Sequence, residues 1–575
     1  MADPRAKQGI AMWEIEEAKV SNFRNVWQDT ADLVYPRENQ ITSKRTPGED
    51  KSQYVLEDSP MLASQKMASK LSNALVPYGR QFFSLIAKDR QINDVESVKR
   101  WLSFCTQILH DELLDSNFIV HLYESLRSLC VFGTCNLFSE WSVNRRTAKL
   151  KMNVYGKPSY GSLNFKDIGI AHYTIKQGED GNIDTVIVKY PLTARQAVQR
   201  FGEKAGDSTM KLAGDVKTES KLCDFIHIVR PLAEGNEQFV KNLAMPFESV
   251  HINIKDQEIA EEGGYEELPY SVARWMKSSD EKYGRGQGTE FLGRFKRLQK
   301  EYATMIKLAN RIAEPPLQVK SSFEGRVRTQ PNSINKVMEE NSIMPLYNMS
   351  AQFPYTEKFL EEERKVIREV FFLDVFSPIT NLSGDRRTQM EINQRTMEGY
   401  EELASPVART ETELLNANTK RSFMLCYRNG RFPTPPAELM KINRQTRMLE
   451  LDIDSIGLEF IGKLSLALRN QQSQAFQNYA VFLGQMDAQF PGIKRPSDNI
   501  NIDKGFRRMG RVWGVAEEDL TTEDERDAIR KDRMQEMQQQ KAAMAAATAA
   551  DAYGKTTGKP EEGSAAEKAM SGMGA

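Results

Sequence analysis

Thr289 to Ile312 read TEFLGRFKRLQKEYATMIKLANRI. Phe291, Phe295, Leu298, Tyr302, Met305, Ala309 and Ile312 follow one another in a four-three alternation. That spacing lays one apolar stripe along a helix of roughly 24 residues, about 36 Å long at the α-helical rise. Pro315-Pro316 end it, since proline lacks the amide a helix interior needs. The next stretch, LQVKSSFEGRVRTQPNSINKVMEENSIMPLYN (317–348), reads as a small β excursion. Thr356 then opens a second helix carrying Phe359, Leu360, Val366, Ile367, Val370 and Phe371. Two long helices bracketing a compact insert organise the chain.

On the N-terminal side, Trp13, Val20, Phe23, Val26, Trp27, Thr30 and Val34 predict an amphipathic helix over 10–34. Asp58-Ser59-Pro60 supplies a cap and a first-turn proline for a helix running to Leu75. A third helix holds Trp101, Cys105, Ile108 and Leu109. A fourth, after Asn117, holds Ile119, Leu122, Leu126 and Leu129 and closes at Gly133. From Thr134 to about Tyr270 short β-rich runs such as IDTVIVKY and DFIHIVR alternate with turn residues, with one helix inserted at Thr193–Phe201. On the C-terminal side, the loop DVFSPITNLSGD leads into a helical stretch from about Arg386 to Arg428, with a kink expected at Pro406. Helical periodicity resumes after Phe432–Pro436 and runs with interruptions to about Asp487. The low-complexity tail from Gln535 reads as disorder or frayed helix.

The chain has 575 residues, too many for one core, and its 40% hydrophobic and 27% charged residues are those of an ordered protein with several subdomains. Its 78 Lys and Arg nearly cancel 79 Asp and Glu, which argues against wrapping nucleic acid with a wholesale basic surface. The balance is uneven locally: ten Lys or Arg against four Glu fall between Arg285 and Arg328. Five cysteines without a CxxC pair suggest neither a disulfide framework nor zinc, and a reducing cytoplasm fits them. No apolar leader or run of about 18 apolar residues points to secretion or a membrane. The five histidines lack HxxxH or HExxH spacing, no serine sits in GxSxG, and no metal, cofactor or catalytic residue is expected.

Met67-Ala68-Ser69-Lys70-Leu71, then Pro77, then Phe82-Phe83, resembles the signature of the head-to-tail connector (portal) family of short-tailed double-stranded DNA bacteriophages. The family commonly has Trp where Phe82 stands. Val131-Phe132-Gly133-Thr134, Leu268-Pro269-Tyr270 through Arg274-Trp275, and Tyr283-Gly284-Arg285-Gly286 match in the same order, so the resemblance spans roughly 55–430. It implies a ring-forming, predominantly helical α+β portal fold with wing, stem, clip and crown. The implied divisions are an N-terminal wing (1–284, helical to about 133), first stem helix (285–314), clip (315–350) and second stem helix (351–372). A tunnel loop (373–387), long wing helix (388–431), crown (432–515) and C-terminal tail (516–575, barrel or disordered) follow.

The resemblance further implies a homo-dodecamer at one capsid vertex of the virion, assembled in the host cytoplasm. Its implied partners are the major capsid and scaffolding proteins, terminase, tail adaptor and nozzle proteins, and double-stranded DNA held without sequence specificity. No membrane partner is implied. Candidate channel cations are Arg294, Lys296, Arg297, Lys300, Lys307, Arg311, Arg386 and Arg387. Phe376, Pro378, Ile379 and Asn381 are tunnel-loop candidates that grip DNA or pack against a neighbouring loop, and Lys320, Phe323, Arg326 and Arg328 are clip candidates for docking partners. The same basic run also reads as a solvated helix face. The alternatives are another head or tail component, such as an adaptor or internal scaffold, and a nucleotide-dependent enzyme using the Gly284–Gly288 loop.

Overall fold

A computed structural model describes residues 3–375 apart from 45, 47, 51–54, 94, 144–150, 153–157, 160, 233–244, 315, 324, 331–332, 338 and 347–352. It continues over 401–442, 449–462, 476–487, 489, 501–512, 521 and 523–554. The protein is 55% helical and 20% strand, which bears out the mainly helical α+β expectation. It divides into two units, Met1–Arg469 and Asn470–Ala575.

In the first unit, Asp3 accepts a hydrogen bond from the Arg5 amide and Pro4 follows it, so α1 runs Pro4–Val34. It begins earlier than the apolar spacing suggested, because cap and proline start the helix before its apolar face does. Helix α2 (Ser59–Leu75) has the predicted bounds. Strand β1 (Phe83–Ala87), α3 (Arg90–Asn93), α4 (Glu96–Asp115) and α5 (Phe118–Phe132) follow. Helix α5 stops at Gly133, whose φ of +87° favours a residue without Cβ.

The middle third is antiparallel sheet: β2 (Thr134–Ser142), β3 (Lys151–Met152), β4 (Pro158–Ser159), β5 (Ser162–Asp167), β6 (Tyr173–Gln177) and β7 (Ile183–Thr193). The inserted helix α6 (Ala194–Phe201) is held by a Thr193/Gln196 capping box, and a second short helix, α7 (Asp207–Ala213), accompanies it. Strands β8 (Leu222–Pro231), β9 (Phe247–Asn253), β10 (Glu258–Tyr265) and β11 (Tyr270–Arg274) complete the region. Five strands pair in the order β10-β9-β8-β7-β6, and three in the order β11-β2-β5. Period-two alternation gives the larger sheet two apolar faces. Ile187, Ile226, Ile228, Val250 and Ile252 meet Trp13 and Ala6 of α1, while Val186, Val188 and Val229 join the main core. That core also takes Trp27, Met67, Leu71, Phe82, Phe83, Leu122, Phe132 and Trp275.

After a short turn, α8 (Gln287–Glu290), the heptad-patterned stretch forms α9 (Leu292–Ala313). The excursion is a strand pair, β12 (Leu317–Val319) with β13 (Ile343–Pro345), followed by α10 (Phe353–Val370). The start of the long helix and the candidates Phe376, Pro378, Ile379, Asn381, Arg386 and Arg387 lie outside the described residues. Helix is continuous over 401–410, and the irregularity expected at Pro406 lies at a π segment, Glu411–Asn416, before α11 (Ala417–Arg428). Arg274 clamps that segment, with Nη2 2.7 Å from Glu413 Oε1 and its backbone N 2.9 Å from Oε2.

The helical periodicity expected after Pro436 is contradicted over 440–442 and 449–460. β14 (Met440–Ile442) pairs with β15 (Leu449–Leu451), and β16 (Ile456–Phe460) pairs with β1 across most of the unit. Windows this short do not separate a period of 2 from 3.6, and the remote partner decides. In the second unit, helices cover 476–487, Ile502–Val512 and Glu523–Gly554. Low complexity is helix here up to Gly554, because QQQKAAMAAATAA consists largely of strong helix formers.

Candidate functional site: a helix pair rooted at one end and bare at the other

Three stretches of sequence, 133–134, 275–276 and 283–289, meet just before the start of α9. Gly133 O accepts from Trp275 N at 2.9 Å, Thr134 Oγ1 accepts from Gly284 N at 2.9 Å, and Met276 O accepts from Arg285 N at 2.7 Å. Gly286 N donates to Thr289 Oγ1 at 3.0 Å. Backbone packs directly on backbone. A Cβ built on Gly286 would stand 2.6 Å from Gly133 N and 2.7 Å from Cys130 O. One on Gly284 would stand 2.3 Å from Gly133 O. Tyr283 adds its ring, edge-on to Trp27 with centroids 5.2 Å apart. The Gly284–Gly288 loop is therefore a close-packed joint whose amides at 284, 285 and 286 are already engaged. An anion cradle needs those amides free.

Beyond the joint, α9 is tied on three sides. Phe295 and Leu298 are fully buried, and the Phe295 ring stacks on Phe371 with centroids 5.9 Å apart. Glu363 of α10, its side chain 8% exposed, accepts from Arg294 at 3.0 Å and faces Arg297 at 3.4 Å. The Arg297 guanidinium also lies over the Phe359 ring, 4.9 Å from its centroid. Lys296 reaches Asp29 of α1 at 2.5 Å.

Sequence reasoning missed Gln299. Its Oε1 accepts from Leu56 N at 2.8 Å and Glu57 N at 3.0 Å, while Nε2 donates to Glu57 O at 2.6 Å. A buried glutamine so placed staples the extended lead into α2. Glu57 in turn takes a two-pronged contact from Arg364 of α10, at 2.8 and 3.2 Å. Burial alone would raise the Glu57 carboxyl, but hydrogen bonds from Arg364 and Ser59 outweigh it and hold the group below the ordinary glutamate range. A glutamine amid Lys and Arg gives no periodic signal, since its role depends on backbone 242 residues away.

The predicted cations thus separate. Arg294, Lys296 and Arg297 are engaged by carboxylates of the same chain. Lys300, Lys307 and Arg311 are exposed, and no ion pair joins them to another of the described residues. In the strand pair, Lys320 contacts Glu339 at 3.4 Å, and Phe323 is half-buried. Arg326 and Arg328 are exposed, the Arg328 backbone closing a turn with Ser333 and Asn335. Apolar cover fails along the same axis. Ile306, Ile312, Leu317, Val319, Met344 and Leu346 are each more than a third exposed, and Ile334 is 80% exposed. The stripe that begins in the core ends in the open.

All five cysteines are buried thiols, and no helix among the described residues is long and apolar enough to cross a membrane. Comparison with known proteins gives concordant matches. The profile of a family described as bacteriophage head to tail connecting protein matches residues 6–520. The portal protein of Salmonella phage epsilon15 is 21% identical over 526 residues, covering 90% of this chain and 89% of that protein. A probable portal protein of Bordetella phage BPP-1 is 21% identical over 538 residues, covering 92% and 91%. With the profile extending from α1 through the joint, the helix pair and the helices after it, the chain belongs to the bacteriophage head to tail connecting protein family.

Proposed function

We propose that this chain is a portal subunit that closes into a dodecameric ring at one capsid vertex and forms the channel for DNA packaging and ejection. In this reading 285–314 and 351–372 are the stem, 315–350 is the clip where terminase and then tail adaptor dock, and 373–387 is the tunnel loop. Residues 1–284 and 388–431 form the wing, 432–515 the crown and 516–575 the tail. The chain is a conduit and an assembly nucleus, with ATP hydrolysis left to a separate motor.

One observation supports it most: the helix pair is rooted in a core at one end and presents uncovered apolar side chains from Ile306 to Leu346 at the other. An isolated copy leaves this surface wet at about 25 cal/mol per Å². Repeating a head-to-tail contact around an axis covers it in every copy and leaves no open end. Mass measurement and imaging of the purified full chain test this, with closed rings expected at twelve times 65.5 kDa. Ile306→Asp with Ile312→Asp should leave the wing folded and abolish rings. A chain that stays single under all conditions, inside virions included, overturns the reading.

A further inference from the structure

We propose that the exposed face of α2, at the exit of α10, is a contact site for the backbone phosphates of duplex DNA. Its residues are Leu62, Gln65, Lys66, Ser69 and Lys70, which line a groove of about 300 Å³. The inference rests on the channel reading, since it names where the passing duplex would be touched. No carboxylate occurs in the sequence between Asp58 and Asp89, so none on α2 offsets its lysines. On α2 this leaves two lysines four residues apart, a like-charged spacing that weakens a helix. Lys70 Nζ donates to the Leu373 carbonyl at 3.2 Å, which fixes the groove against the first residues after α10. Burial and then the neighbouring Lys66 lower the Lys70 ammonium, with Asp374 opposing them.

Lys66 is exposed and forms no ion pair with the described residues, and the Gln65 amide and Ser69 hydroxyl are exposed beside it. Ammonium, amide and hydroxyl on one helical face are the groups that bind phosphate oxygens without reading bases. The distal cations of α9 differ, because they share their helix with bare apolar side chains that need protein cover.

The test uses the full-length wild type, Lys66→Gln, and a Lys300, Lys307, Arg311→Gln triple variant, each titrated with a short random-sequence duplex over a range of salt. Glutamine keeps helix propensity, and its introduction at position 66 removes no buried group. Taking away one phosphate partner per subunit should lower the slope of log affinity against log salt by about 0.9 for each copy that touches the duplex. Lys66→Gln is expected to form rings of wild-type mass, bind several-fold more weakly at low salt and show that shallower slope, whatever the triple variant does. An unchanged slope in Lys66→Gln overturns the proposal, whether rings assemble normally or fail. A failure of assembly with unchanged slope would make the groove a subunit contact instead. If the wild type forms no rings, the channel reading falls separately, and the same titration on the single chain still decides the groove.

Discussion

Replacing Gly133 by alanine should break the joint from which α9 departs. Gly133 has φ +87°, a region that costs an L-residue about 1–2 kcal/mol. The added Cβ would lie 2.2 Å from Arg285 C and 2.2 Å from Gly286 N. Both are backbone atoms, so no rotamer change relieves the contact, and overpacking of this kind costs about 1–3 kcal/mol. Together about 2–5 kcal/mol is at stake, against the 5–15 kcal/mol or so typical of a folded domain. Gly263→Ala is the control, since its Cβ meets no atom within 4 Å and its φ is not in the strained region. Trp275 bonds to Gly133 directly and Trp27 touches Tyr283, so tryptophan fluorescence during urea unfolding reports the region. At about 1–3 kcal/mol per molar urea, the Gly133→Ala midpoint should fall by about 1 M or more. Equal midpoints for Gly133→Ala and Gly263→Ala would refute the view that this packing, and not a ligand, requires the glycines.

Gly293→Ala, within α9 and with nothing within 4 Å of its Cβ, should stabilise the helix by about 0.5–1 kcal/mol, read as a raised unfolding midpoint. Asp167 is half-buried, and desolvation, only partly opposed by a hydrogen bond from Ser125, pushes its carboxyl up to about 7, so the native state keeps a proton that the unfolded chain releases near 3.8. That group's contribution is fully present below 3.8 and is lost as pH rises through 7. Asp167→Asn should therefore gain about 3–4 kcal/mol over the wild type at pH 8 relative to pH 4, and a pH-independent difference would contradict the assignment. Glu363→Gln removes the shared charge facing Arg294 and Arg297 at a cost of about 1–3 kcal/mol, and should speed hydrogen exchange in α9 without affecting α4.

The helix pair, the strand insert and the bounds of α2 were legible because long apolar periods and a cap-proline start are local signals. The strands β14, β15 and β16 were not, and β16 is defined by pairing with Phe83–Ala87, more than 350 residues earlier. Pro406 drew attention as a breaker, yet the helix deforms at Glu411–Asn416, where Arg274 from a distant strand holds Glu413. The glycine fragments that carry the family resemblance were visible as letters. Their shared purpose, backbone contact between the end of α5 and the start of α8, appears only when Gly133, Gly284 and Gly286 are brought together. Among the basic residues, sign and number can be read from the letters, whereas the fold decides which are already neutralised.

That division of charge bears on how a channel could hold DNA without stalling it. Every cation that touches phosphate adds affinity that must be undone for the duplex to move. The six-charge excess between Arg285 and Arg328 would look adhesive if all of it faced a lumen. Arg294, Lys296 and Arg297 face Glu363 and Asp29, which help root the helix and offset part of their charge. What remains on α9 is Lys300, Lys307 and Arg311, one row at seven- and four-residue spacing on a helix whose distal apolar side is uncovered. The far half of α9 is about a dozen residues, a length that is only marginally helical by itself in water. Its stability must then come from α10 and, in the proposed ring, from adjacent copies. In the proposed ring, folding of the far half of α9 and closure of the ring are one process, because the same uncovered apolar side chains drive both.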